Sequence, residues 1–169
     1  MTLRQQPLNM ITNRTFDQLS VGDSAGIERT LTQPDLHLFA LLAGETDASV
    51  ASPVPASPAS SHLPGLIAHG MWGGALIAAL LGTRLPGFGT IYRSQVLRFL
   101  APVAAGDTLS VRVTVVAKDP ATHEVRLACC CTNQAGEIIV EGEAEVIAPA
   151  ERIERARDTL PDIRLDVTG

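Results

Sequence analysis

The chain has 169 residues, with 13 basic and 18 acidic side chains and a formal charge of −5. That length is close to the ~150 residues of one ordinary domain, which leaves room for one hydrophobic core and not for two catalytic domains. Lys118 is the only lysine, the arginines are scattered, and no basic run occurs, which excludes a chain that wraps nucleic acid or coats an anionic membrane.

Met1 to Ile11 carries Arg4, Gln5, Gln6 and Pro7 where an export signal needs an apolar core, so a cytoplasmic location is expected. Ala25 to Thr30 reads as a short strand. Thr32-Gln33-Pro34-Asp35 reads as a helix start, with Thr32 as cap, Pro34 in the first turn and Asp35 three residues on. Leu36, Phe39, Ala40 and Ala43 repeat at helical spacing, and Gly44 ends the helix. Residues 51–61 hold three prolines and four serines in 11 positions, the composition of a loop that neither packs nor joins a ladder.

Gly70 to Gly82 is expected to be a second helix. Met71, Trp72, Ala75, Leu76, Ile77, Ala79, Leu80 and Leu81 leave it almost no polar face, so enclosure on most sides is predicted. The apolar stretch from Gly70 to Thr83 is shorter than the ~20 residues that cross a bilayer. The rest reads as strands. Ile91 to Leu100 is one run. Leu109 to Val115 alternates, as do Val125 to Cys131 and Ile138 to Val146, with turns at Asp119-Pro120 and Gln134-Ala135-Gly136. Period-two alternation with one polar face means an antiparallel sheet covered on one side. One enclosed helix and one curled sheet make an α+β domain of the hot-dog type, with the sheet wrapped round the central helix. Its expected limits are 12–149, with 150–169 a charged surface tail. The exposed sheet edges call for a homodimer.

The three cysteines are consecutive, Cys129 to Cys131. Neighbours on a strand face opposite ways and cannot surround a metal, so no metal site is expected and the thiols read as small apolar residues in a reducing cytosol. No phosphate-binding glycine loop and no Gly-x-Ser-x-Gly occurs. His37, on a helix, and His123, in a turn, read as surface or partly satisfied groups. His69-Gly70 stands at the head of the apolar helix, whose first amides lack partners and carry the positive end of the dipole. A glycine there admits a carbonyl oxygen, and its amide can stabilise an oxyanion; a plain turn glycine fits the residues as well. Glu45 and Asp47 beside Gly44 offer carboxylates for general-base work or simply solvate a loop.

Leu66 to Trp72, Leu85 to Tyr92, Gln95 to Phe99, Pro102-Val103 and Gly106-Asp107 together resemble the MaoC-like (R)-specific enoyl-CoA hydratases. The resemblance runs from Phe16 to Pro149. It is closest to the hydratase half of bifunctional enoyl-CoA hydratase/phosphate acetyltransferase proteins, through Asn13 to Asp17, Cys131 to Gln134 and Glu145 to Pro149. It implies a dimeric hot-dog fold that hydrates a trans-2-enoyl-CoA to the (R)-3-hydroxyacyl-CoA. Coenzyme A then enters as part of an acyl-CoA thioester, and no separate cofactor is needed. Glu45, Asp47 and Gly70 are the implied catalytic residues; His69, Met71, Trp72, Gly89, Tyr92 and Gln95 are the implied substrate-binding ones. The family motif Gly-Asp-x-Asn-Pro-x-His falls on Gly44 to Val50, so Glu45 replaces its aspartate and Val50 its histidine. Valine cannot titrate, and losing one acid–base group removes about 10²–10⁴ in rate, which implies weakened activity. His62 and Arg93 are further candidates, for the lost imidazole and for a coenzyme A phosphate. Three chemistries stay open: hydration, acyl-CoA binding without catalysis, and thioester hydrolysis.

Overall fold

Alternating side chains build the sheet. The computed structural model describes residues 10–44 and 70–156, together with Asp158. Among them β1 is Met10–Thr12, β2 Ser24–Thr30, α1 Gln33–Leu42, α2 Met71–Thr83, β3 Ile91–Phe99, β4 Thr108–Asp119, β5 Glu124–Thr132, β6 Ile138–Ile147 and β7 Glu154–Ala156, with one 3-10 turn at Phe16–Gln18. Five strands form an antiparallel sheet in the order β2-β4-β5-β6-β3. Opposed pairs such as Val111 with Cys131, Val113 with Cys129 and Val115 with Leu127 line its inner face and are buried. Each fully buried aliphatic side chain of this kind contributes about 1.5–3 kcal/mol. The α+β hot-dog reading holds, with α2 laid across the inner face.

Three glycines let α2 approach closely. A Cβ on Gly70 would stand 3.0 Å from the Phe99 ring, one on Gly73 3.2 Å from Val140, and one on Gly74 3.2 Å from Leu97. The helix therefore begins over β3. It ends near β2, where the Arg84 guanidinium donates to the Gly26 carbonyl at 2.6 Å. Trp72, Leu76, Ile77, Leu80 and Leu81 point into the core. Enclosure is less complete than the composition predicts. Met71, Ala75, Ala78, Ala79 and Gly82 are exposed, because one sheet covers one side of a helix.

Two strands depart from simple alternation. In β6, Ile139 is buried with Val140 while Ile138 is exposed, because the β5–β6 register shifts between Cys131 and Thr132. β3 is an edge strand, and its apolar run is largely exposed rather than buried.

The chain beyond residue 149 is tied down as far as it is described. β7 pairs with β1, and Asn13, the one buried polar residue among those described, binds the Phe88 and Glu151 carbonyls and the Ile153 amide. The folded unit thus extends past the expected limits of 12–149. The loop of residues 51–61 lies outside the described residues. No described helix is long and apolar enough to cross a membrane.

Candidate active site

The first turn of α2 supplies the polar end of the site. Gly70 is its cap residue and has no side chain to bind the leading amides. Those amides carry the positive end of the helix dipole. Beside them lies a cavity of about 340 Å³ lined by Gly70, Phe99, Leu100, Ala101, Pro102, Val103, Ile139 and Val140. None of those residues is ionisable. The cavity can hold hydrocarbon with a polar atom at the helix start, while the acid–base groups must come from elsewhere.

A larger hollow of about 620 Å³ lies on the opposite face of the sheet, among Gly26, Glu28, Ser110, Arg112, Cys130 and Thr132. It lies away from the N-terminus of α2, and its charged side chains are already engaged: Glu28 accepts from Ser110 and Arg112 donates to Ser24. The smaller cavity is the better site because, of the two, only it is lined by Gly70 at the head of α2.

Those expected site residues that are described do not gather in one place within the chain. Gly70 lies at the cavity. Met71, beside it, is exposed, with its sulfur end over Gly74. Trp72 is buried in the core and does not line the cavity. Tyr92 and Gln95 lie on the inner face of β3 toward its far end, opposite the buried Val146 and Ala144. Between Tyr92 and Phe99 the strand spans roughly 20 Å at about 3.3 Å per residue. Gly89 sits further on, in the turn before β3, with φ +87° and against Pro149 and Ile153. Glu45, Asp47 and His69 lie outside the described residues, as do Val50 and His62.

Gln95 is half-satisfied. Its amide nitrogen donates to the Glu143 carbonyl at 3.1 Å, while its Oε1 is buried without a partner. Burial, helped by nearby Cys129, pushes the Tyr92 phenol up to about 12, so it stays a neutral donor at physiological pH. Phe99 and the turn Leu100 to Val103 line this candidate site, and the sequence did not single them out for it. Their signal was an aromatic ending a strand just before a proline. His123 stacks on Phe16 and His37 lies on α1; neither lines the cavity.

Residues 22–129 match the family model described as the MaoC like domain. The chain belongs to the MaoC-like family. The (R)-specific enoyl-CoA hydratase of Rhodospirillum rubrum is 40% identical over 80% of this chain and 92% of its own. The 3-hydroxybutyryl-CoA dehydratase of Methylorubrum extorquens is 38% identical over 79% of this chain and 83% of its own. The unliganded R-hydratase PhaJ1 of Pseudomonas aeruginosa superposes with a TM-score of 0.80 at 39% identity, covering 92% of this chain and 99% of that one. In this MaoC-like domain the central helix thus begins at the cavity that Gly70 lines.

Proposed function

We propose that the chain is an enoyl-CoA hydro-lyase that interconverts a trans-2-enoyl-CoA and the (R)-3-hydroxyacyl-CoA. The observation that supports this best is the uncapped first turn of α2 at the mouth of an apolar cavity. The thioester oxygen gains negative charge as water adds, and the Gly70 amide receives it. Glu45 takes a proton from water as its oxygen bonds to C3; a proton then reaches C2 on the same face. Asp47 is the second carboxylate able to hold that water. Coenzyme A belongs to the substrate, and no further cofactor is required. A second reading has a specific ground: Val50 replaces the family histidine, which favours an acyl-CoA-binding protein without turnover. A lone carboxylate also suits thioester hydrolysis.

Crotonyl-CoA separates these. Hydration consumes the enoyl absorbance, and Glu45→Gln lowers kcat by about 10²–10⁴. A rate equal to the uncatalysed control, with acyl-CoA still bound, supports the binding reading. Release of free coenzyme A thiol supports hydrolysis. The protein acts in the cytoplasm as a homodimer, and light scattering at the mass of one chain would overturn the dimer.

A further inference from the structure

The outer face of the sheet carries a hollow that the proposed hydration leaves unused. Register puts Gly26, Arg112 and Cys130 in one row across β2, β4 and β5, and Glu28, Ser110 and Thr132 in the next. Opposed residues share a face, so both rows look outward together. Gly26 has no side chain and Cys130 a short one, so Arg112 stands in a trough. A Cβ on Gly26 would crowd the Val111 carbonyl at 3.1 Å, and Arg84 holds the Gly26 carbonyl at 2.6 Å, which keeps that floor bare and fixed. The hollow measures about 620 Å³.

Two opposite charges face it without meeting. Arg112 donates to Ser24 at 3.3 Å, and Glu28 accepts from Ser110 at 2.8 Å. Those bonds use one of the five N–H donors of a guanidinium and one of the roughly four lone-pair positions of a carboxylate. Among the described residues neither side chain makes an ion pair. Farther across the same face Arg98 closes on Glu141 at 3.3 Å, which occupies the carboxylate opposite Cys130. An exposed pair contributes little to folding, so the gap between Arg112 and Glu28 costs the fold almost nothing and leaves both groups for a ligand.

The two free charges select the ligand. A guanidinium takes a carboxylate in a two-pronged bond, and a carboxylate takes an ammonium. The rows lie two residues apart along the strands, roughly 6.6 Å at about 3.3 Å per residue. A free amino acid, one residue long, falls short of that span. Two residues of extended peptide reach about 6.6–7.2 Å.

We propose that this hollow binds a zwitterion of dipeptide length, with its carboxylate on Arg112 and its ammonium on Glu28. Thr132 lines the same hollow and offers a hydroxyl to the peptide group. A cavity of this size also leaves room for the ligand's side chains. The site lies on the face of the sheet opposite the Gly70 cavity and stands independently of the acyl-CoA reading.

Cys130, half-exposed in the hollow, reports occupancy. The full-length chain is alkylated with iodoacetamide, and peptide mapping follows the label on Cys130. Glycylglycine at about 10 mM, ten times a dissociation constant of about 1 mM, is expected to slow that alkylation about tenfold. Glycine, glycylglycinamide without the carboxylate, and N-acetylglycylglycine without the ammonium leave the rate unchanged. Arg112→Gln and Glu28→Gln, each compared with its own rate without peptide, lose the protection. Amide NMR shifts of residues 26–28 and 110–112 give a readout that needs no thiol, and they should move with glycylglycine and saturate over the same range. Absence of both protection and saturating shifts overturns the site. Protection that survives in both variants, or that either blocked peptide gives equally, overturns the assignment of the two charges.

Discussion

Gly142 shows how one missing atom fixes the edge strand β3. A Cβ there would stand 1.9 Å from the Val96 carbonyl oxygen, and the obstacle is backbone, which cannot swing aside. Only glycine lets β3 lie against β6 at this point. Gly142→Ala must push the edge strand outward. It is expected to cost at least the 1–3 kcal/mol typical of overpacking, roughly, and to lower the urea midpoint while disturbing Val96. An unchanged midpoint would mean that β3 has slack the geometry denies it. The cysteines divide by the same face-by-face logic. Burial pushes Cys131 up to about 12 and raises Cys129, whereas Cys130 faces the outer side and is half-exposed. The thiolate is the reactive form, so Ellman's reagent at pH 8 should titrate Cys130 in the native protein and all three thiols only after denaturation. Fast reaction of two native thiols would contradict this assignment of faces.

Elements were legible where one local cause decides them. The α1 start is an example: Thr32 accepts from the Asp35 amide, Asp35 reaches back to the Thr32 amide, and Pro34 stands in the first turn. Thr32→Ala should cost about 1 kcal/mol, read as a lowered urea midpoint with the slope unchanged. A change within error would mean that Asp35 holds the helix end alone. The main strands were equally legible, because alternation is a local record of burial. β1 and β7 were not, since three-residue strands carry no period and their pairing depends on Asn13 contacting residues more than seventy positions away. The exposed side of α2 was misread, and the exposure of β3 was not foreseen. Composition says that a segment is apolar, and only topology says whether the covering layer lies in the same chain. The candidate cavity was legible at its Gly70 end, through helix-end chemistry, and not at Phe99, whose place over Gly70 depends on how α2 crosses the sheet.

At the scale of the molecule, two carboxylates tie the segments before α2 to the sheet, and they set its response to acid. Asp23 accepts from the Ser20 amide and pairs with Arg14 at 2.6 Å, while its own backbone carbonyl receives the Val115 amide of β4. The Ser20 amide, chiefly, and the Arg14 guanidinium hold its pKa below the ordinary 3.8, against the opposing effect of burial. Asp35 joins α1 to β2 through Arg29. Burial works to raise its pKa, and the Thr32 hydroxyl and amide with Arg29 outweigh that and lower it below 3.8. A carboxyl whose folded pKa is depressed contributes stability that is complete above its unfolded pKa and is lost as pH falls through the folded one. The urea midpoint should therefore hold steady from pH 7 to 5 and fall below about pH 4. Both carboxylates sit on the segments before α2, so hydrogen exchange should show amides of residues 15–36 losing protection before the β4–β5 pair does. The double variant Asp23→Asn, Asp35→Asn should start with a lower midpoint and show a shallower acid slope. An acid slope as steep in that variant as in the parent would place the acid-sensitive contacts elsewhere, among the glutamates on the outer face of β6.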